Sequence, residues 1–182
     1  MLKNIEFYNT PDGQVCCKPL NEPMFILREN DTTLIADILT MIQELYPSAF
    51  AALSGLYSRS ERNKSYYHFR MVHRFIRCNL GEYDALAMDV NPNGHFRFED
   101  VRCPLRGECP FEYIICKPTL DTKLSEREQQ VANLLGEGFT AEEIGQELHI
   151  SPHTVKRHIA NIKARLKLTH THQIISKFSK EL

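Results

Sequence analysis

Three helix-start signals lie close together in the last third of the chain and strongly limit how it can fold. Ser125 with Glu128 and Thr140 with Glu143 each have the spacing of a capping box, in which two side chains satisfy backbone N–H groups at a helix start. Ser151, followed by proline, is a third start, since proline at the first helical position loses no hydrogen bond. The pattern predicts three short helices separated by tight turns.

The helix that begins at Ser151 has two chemically different faces. At about 100° per residue, one narrow arc contains the apolar side chains of Val155, Ile159, Ile162 and Leu166. The opposite arc contains His153, Lys156, Arg157, Ala160, Asn161, Ala164 and Lys167. Cations for phosphates, donors for base edges and small side chains are what a helix in the major groove of DNA needs.

The formal net charge of −1 hides a local concentration of positive charge. Between His153 and Lys167 there is no acidic residue, and the cations are Lys156, Arg157, Lys163, Arg165 and Lys167. A phosphate backbone responds to such a local cluster rather than to the average. A basic helix face alone is usually a solvated surface, but the caps and the core spacing favour DNA contact.

A last helix is predicted over about residues 171–182, with Ile174, Ile175, Phe178 and Leu182 at helical spacing. In so small a domain, we expect the Ile174/Phe178 stripe to be exposed as a dimer surface rather than packed internally.

The C-terminal segment resembles the LuxR-type (GerE) helix-turn-helix domain over about a third of the chain. The matching positions are Leu124, Ser125, Arg127, Glu128, Gly138, Thr140, Glu143, Ile144, Ile150, Ser151, Thr154, Val155, Lys156, His158, Ile162 and Leu166. The resemblance implies a four-helix domain that binds double-stranded DNA as a homodimer. It implies DNA contacts by Lys156 and Arg157 and phosphate contacts by Thr154 and Lys163. With the polar arc, the predicted DNA-binding set is His153, Thr154, Lys156, Arg157, Asn161 and Lys163.

Two departures leave a second interpretation open. Ala141–Glu142 stands where the family often has Asn-Lys, and Thr171 stands where it often has arginine. The run from Thr140 to Gly145 is closer to sigma factor region 4, a related fold that contacts RNA polymerase. Nothing upstream resembles a sigma factor's promoter-melting region, so a transcription regulator is the favoured prediction.

The N-terminal part mixes strand and helix patterns. A hairpin is predicted around the turn at residues 10–13, and helices over Thr33–Tyr46, over Ala49–Tyr57 and after Asn63. Strands are predicted at Leu86–Val90 and Phe96–Phe98, joined by a turn at residues 91–94. We therefore predict an α+β domain over residues 1–118 for sensing or dimerisation, a linker over 119–123 and an all-α domain over 124–182.

Three of the six cysteines fall in the proline-containing loop 102–118, and a fourth ends a predicted helix. Cys103, Cys109, Cys116 and Cys78 would make a four-thiolate set, which suits zinc or an iron–sulfur cluster. The Cys-x-x-Cys spacing typical of zinc sites is absent, so reduced cysteines in a small core remain the alternative.

The position of this loop, directly before the DNA-binding domain, suggests that metal loss or oxidation changes DNA affinity. The run Arg102–Pro110 in this position is similar to that of a group of small bacterial regulators with an uncharacterised N-terminal domain. Cys16 and Cys17 are adjacent on a predicted strand, point to opposite faces and are expected to be ordinary strand residues.

Other function classes have little support. The most apolar stretch, residues 34–56, contains charged residues and a proline, so we expect no membrane segment and a cytoplasmic protein. His68, His73 and Glu82 form no recognisable catalytic dyad, and there is no phosphate-binding glycine loop, so no enzyme is expected. Asp84 and Asp89 lack the surroundings of a phosphorylated receiver domain.

Overall fold

The computed structural model describes residues 2–81, 87–91, 95–121 and 123–179, and the chain divides into two compact units. The first unit covers residues 2–119 and the second begins at Leu120. The first combines a small sheet with helices, and the second is helical. The predicted fold class, α+β followed by all-α, is therefore confirmed. Within the described ranges, no helix has both the length and the apolar character needed to cross a membrane.

The sheet of the first unit has three antiparallel strands. Strand β1 (Ile5–Asn9) pairs with β2 (Val15–Pro19), and β2 pairs with β3 (Phe25–Ile26). The tight β1–β2 turn depends on Gly13, whose φ of 85° is a left-handed conformation that glycine adopts without steric cost. The predicted hairpin is confirmed, with Phe7 opposite Cys17.

Three helices follow, α1 (Thr32–Leu45), α2 (Pro47–Leu56) and α3 (Lys64–Asn79). The helix predicted after Asn63 is confirmed, and Asn63 caps it, since its side chain accepts a hydrogen bond from the Tyr66 N–H at 3.3 Å. The largest fully buried side chains of this unit are Phe7, Phe75, Ile38, Ile42, Leu45, Leu53, Met71, Ile76, Leu80 and Ile115. Since α3 packs against α1 and the sheet, its last turn has a fixed position in the unit.

The second predicted hairpin is only partly described, since Leu86 and the turn residues 92–94 lie outside the described residues. Val90 forms single antiparallel bridges with Ile5 and with Phe96. The rest of Phe96–Phe98 is not strand, and ring packing holds it instead. Its two phenylalanine rings lie 5.2–6.3 Å from the rings of Tyr46 and Phe75.

The second unit contains α4 (Glu126–Gly136), α5 (Ala141–Glu147), α6 (Pro152–Arg165) and α7 (Thr171–Phe178). Both predicted capping boxes are present, and the Ser151 side chain accepts from the Thr154 N–H at 3.1 Å. All three predicted helix starts are therefore confirmed. The core consists of Val131, Ala132, Leu135, Ile144, Val155, Ile162 and Ile174.

The expected exposed stripe on the last helix is wrong. Ile174 is fully buried in the core of its own unit, and Phe178 packs against that core. The close approach of α7 to α4 requires glycine at position 136, because a Cβ there would lie 2.3 Å from the carbonyl oxygen of Phe178. Ile175 is the neighbouring apolar residue that stays exposed, while Leu182 lies outside the described residues.

Gly145 provides a direct test of how the second unit packs. An added Cβ would lie 2.8 Å from the carbonyl oxygen of Ile150, so the turn before α6 would have to move. We expect Gly145→Ala to lower the free energy of unfolding of this unit by about 1–3 kcal/mol. Urea denaturation measures the effect. Gly55→Ala, which meets no atom within 4 Å, is the control and should not destabilise; equal effects of the two changes would contradict the packing argument.

Candidate metal site and nucleic-acid interface

The four predicted cysteine ligands line one small cavity in the first unit. Cys78 comes from the last turn of α3, and Cys103, Cys109 and Cys116 come from the loop that follows. The cavity has a volume of about 20 Å³, and its other lining residues are Arg74, Arg106 and Glu112. All four thiols are free and partly buried. The structure thus places together four residues that lie up to 38 positions apart.

Local turns hold the loop cysteines in place. The Arg106 N–H donates to the Cys103 carbonyl at 3.2 Å, and the Glu112 N–H donates to the Cys109 carbonyl at 3.1 Å. The Glu112 carboxylate accepts in return from the Gly107 N–H at 2.7 Å. These short-range bonds fix the backbone of the loop around Cys103 and Cys109.

Asn79 connects the helix to the loop, and sequence reasoning missed it. Its side-chain amide is fully buried and donates to the carbonyls of Phe75 and Ile115, at 2.9 and 2.8 Å. Its side-chain oxygen accepts from the Lys117 N–H at 2.7 Å. Asn79 therefore ties the helix end next to Cys78 to the backbone on both sides of Cys116. Its position beside Cys78 was the only signal in the sequence.

The four sulfur atoms are more widely spaced than the ligands of a single ion. Among the described residues, the group with three candidate ligand atoms within 4.8 Å of one another is Glu6, Asp89 and Glu99, so no three cysteine sulfurs lie that close together. One carboxylate of the acidic group has a structural role, since Asp89 accepts a hydrogen bond from the Phe7 N–H at 2.7 Å.

The charges around the cavity interact. Burial raises the pKa of the Cys78 thiol, Arg74 lowers it, and Cys116, Cys103 and Cys109 add to the increase. Burial lowers the pKa of the Arg74 guanidinium, but Cys78, Tyr57, Cys109 and Cys103 outweigh burial and the net direction is upward. Arg74 is therefore the cation electrostatically linked to the cysteine group.

The remaining cysteines lie away from this cavity. Cys16 and Cys17 are both buried in β2, and burial raises the pKa of the Cys17 thiol to about 12. Both are ordinary strand residues packed on the two faces of the sheet.

The acid–base candidates are dispersed or not described. Glu82 and Asp84 lie outside the described residues. His68 packs its ring 5.7 Å from Tyr67, while His73 lines a separate cavity of about 420 Å³ beside the cysteine cavity.

The predicted DNA-binding residues lie on α6 in the second unit. His153 and Lys156 are exposed, and Thr154, Arg157 and Lys163 are partly exposed. Lys156 is opposite Glu142 of α5, with 3.9 Å between the Lys156 Nζ and the Glu142 carboxylate and 65% of each side chain exposed. Glu142, which stands where the family often has lysine, therefore faces Lys156, one of the expected DNA contacts.

Two polar residues of α6 are buried instead. Asn161 is 4% exposed, and Ala160 beside it is 5% exposed, so the buried arc is wider than the spacing predicted. The prediction that Arg165 belongs to the surface cation cluster is wrong, because Arg165 is buried. Its Nε lies 3.1 Å from the carboxylate of Glu128, and its terminal nitrogen donates to the Asp121 carbonyl at 2.7 Å.

Comparison with known proteins supports the identity of the second unit. The family model described as bacterial regulatory proteins of the luxR family matches residues 122–178. Searches among curated proteins and among solved structures found no match to this chain. The family match, the two capping boxes and the exposed cationic start of α6 agree with one another. Residues 122–178 are therefore a LuxR-family helix-turn-helix domain, and this domain makes the chain a DNA-binding transcription regulator.

Proposed function

We propose that α6 enters the major groove of an operator and presents His153, Thr154, Lys156, Arg157 and Lys163 to the DNA. The observation that carries this proposal is the exposure of these residues on one helix within a helix-turn-helix domain. Asn161 is left out of the contact surface because its side chain is buried. We also propose a cytoplasmic location, because a bacterial regulator that binds DNA has to be in the compartment that contains the chromosome.

We propose further that the protein binds as a homodimer. Dimers of helix-turn-helix proteins contact two half-sites about one helical turn apart, on a pseudo-palindromic operator. Because the Ile174/Phe178 stripe is buried within its own unit, it is not the surface through which the two copies associate.

Sequence selection from random duplex DNA tests the proposal. The full-length protein, without polymerase, should enrich a repeated half-site, and its affinity should fall steeply with rising salt as counterions are released. No enrichment, or binding that requires RNA polymerase, would overturn the proposal and favour the alternative of a module similar to sigma region 4.

The cysteine site is proposed to control this activity by holding a metal group. Only residues 117–120 separate Cys116 from Asp121, and the Asp121 carbonyl accepts a hydrogen bond from Arg165 of α6. A group bound at Cys116 is therefore connected to the recognition helix by a very short stretch of chain. Operator affinity measured before and after metal removal should differ, and equal affinities would refute this control.

Glu142 is expected to weaken DNA binding, because its carboxylate competes with phosphates for Lys156. We expect Glu142→Gln to tighten binding by about two- to fivefold, since an exposed ion pair is worth on the order of 0.5–1 kcal/mol. Fluorescence anisotropy with the selected operator measures the change. Glu126→Gln, which removes an exposed acid from α4, is the control. An equal effect of both changes would show that only the net charge matters, and not the pairing of Glu142 with Lys156.

A further inference from the structure

We propose that the cavity lined by Cys78, Cys103, Cys109 and Cys116 takes an iron–sulfur cluster rather than a zinc ion, with Arg74 as its charge partner. This inference rests on the proposed metal site and specifies the group that the site holds. Its three supports are the separation of the sulfurs, the space between them and the charge that faces that space.

Sulfur spacing separates the two candidate groups. In a tetrahedral zinc site each zinc–sulfur bond is about 2.3 Å, which places the sulfurs roughly 3.8 Å apart. All triplets of such a site fall within 4.8 Å, whereas no triplet of these described cysteines does. In a cluster the thiolates bind different iron atoms, and the set is correspondingly wider.

The space between the side chains is the second observation. About 20 Å³ is empty between them. A volume of roughly 10–15 Å³ already holds a water molecule. The cavity thus has room for a bound group, and the choice between zinc and a cluster rests on the sulfur spacing.

Arg74 supplies the charge argument. A cluster ligated by four thiolates keeps a net negative charge, which a neighbouring cation stabilises. Arg106, the other cation at the cavity, already lies 3.7 and 3.9 Å from the carboxylates of Asp100 and Glu112. Among the described residues, Arg74 has no carboxylate partner, and its Nε is buried without a hydrogen-bond acceptor. The guanidinium is left to face the cysteine group, and an anionic cluster would complete its surroundings.

Access to the site is also present. The larger cavity of about 420 Å³ shares Arg74, Cys78 and Cys103 with the cysteine cavity. The larger cavity thus gives iron and sulfide a route to Cys78 and Cys103.

Anaerobic purification and reconstitution of the full-length protein with ferrous iron, sulfide and a thiol reductant test the inference. We expect iron and acid-labile sulfide in equal amounts per chain, visible charge-transfer absorption and little zinc. Cys78→Ser, Cys103→Ser, Cys109→Ser and Cys116→Ser should each remove most of the iron, while Cys16→Ala should retain it. Circular dichroism checks that every variant is folded. Stoichiometric zinc without sulfide, or neither metal, overturns the inference.

A second variant tests the role of Arg74 separately. Arg74→Gln should keep the iron content but shift the reduction potential of the cluster to more negative values, because the compensating cation is lost. Arg59→Gln, an exposed arginine that does not line the cavity, is the matched control. An unchanged potential in Arg74→Gln overturns its assignment as the charge partner. Operator binding by the same preparations tests the proposed control separately from the cluster. If a cluster is bound but does not change operator affinity, the proposed control is refuted and the cluster inference stands.

Discussion

Arg165→Ala is expected to destabilise the DNA-binding domain by about 3–5 kcal/mol, because it leaves the buried Glu128 carboxylate without its counter-charge. The two side chains are 4% and 2% exposed, and their atoms lie 3.1 Å apart. The guanidinium also donates to the carbonyls of Asp121 and Lys123, at 2.7 and 3.0 Å. One substitution therefore removes a buried ion pair and two hydrogen bonds that hold the start of the domain against α6.

This loss is large against the 5–15 kcal/mol that typically stabilise a domain, so the second unit should unfold at a clearly lower urea concentration than in the wild type. Hydrogen exchange of the full-length protein in urea measures it, since the amides of residues 126–165 should lose protection while those of the first unit do not.

A double replacement distinguishes charge from packing. Arg165→Met with Glu128→Gln removes both charges together and keeps an acceptor for the Ser125 N–H of the capping box. Removing both partners avoids the unpaired buried charge that a single replacement leaves. We expect the double variant to be clearly more stable than Arg165→Ala. If Arg165→Ala alone kept the stability of the wild type, the ion pair would have no structural importance.

Arg165 also illustrates what the sequence can and cannot predict. The capping boxes at Ser125 and Thr140 were predicted because their partners are three residues away, and such contacts follow from spacing alone. The burial of Arg165 depends on Glu128, 37 residues earlier, and nothing local distinguishes it from Lys163 or Lys167. The structure therefore shows Lys156 and Lys167 of the cation cluster exposed, as predicted, and Arg165 buried against a partner that is distant in the sequence.

The same distinction explains the last helix and the cysteine site. Helical spacing predicted that Ile174 and Phe178 share a face, but only the packing against α4 shows that this face is internal. For the cysteines, residue type predicted a set of four, and the turns of the loop assemble it. Asn79 escaped prediction because its three hydrogen bonds go to backbone atoms, which carry no signature in the sequence.

The second large effect is expected at the DNA interface, where Lys156→Ala and Arg157→Ala should each weaken operator binding by about 1–3 kcal/mol, or roughly 5- to 150-fold. Lys156 is 65% exposed and faces Glu142 at the open side of α6. If its Nζ contacts a phosphate, its loss should weaken binding to all sequences alike and reduce the salt dependence by about one ion.

Arg157 should behave differently if it reads a base edge, because a guanidinium that donates twice to a guanine discriminates between sequences. Arg157→Ala should then bind the operator less tightly and also tolerate changes at one operator position. Titrations at several salt concentrations, on the selected operator and on single-base variants, separate the two roles. Lys64→Ala, which removes an exposed lysine from α3, is the control. Unchanged operator binding by Arg157→Ala would show that this face of α6 does not meet the DNA, and the recognition surface would have to be placed elsewhere on the domain.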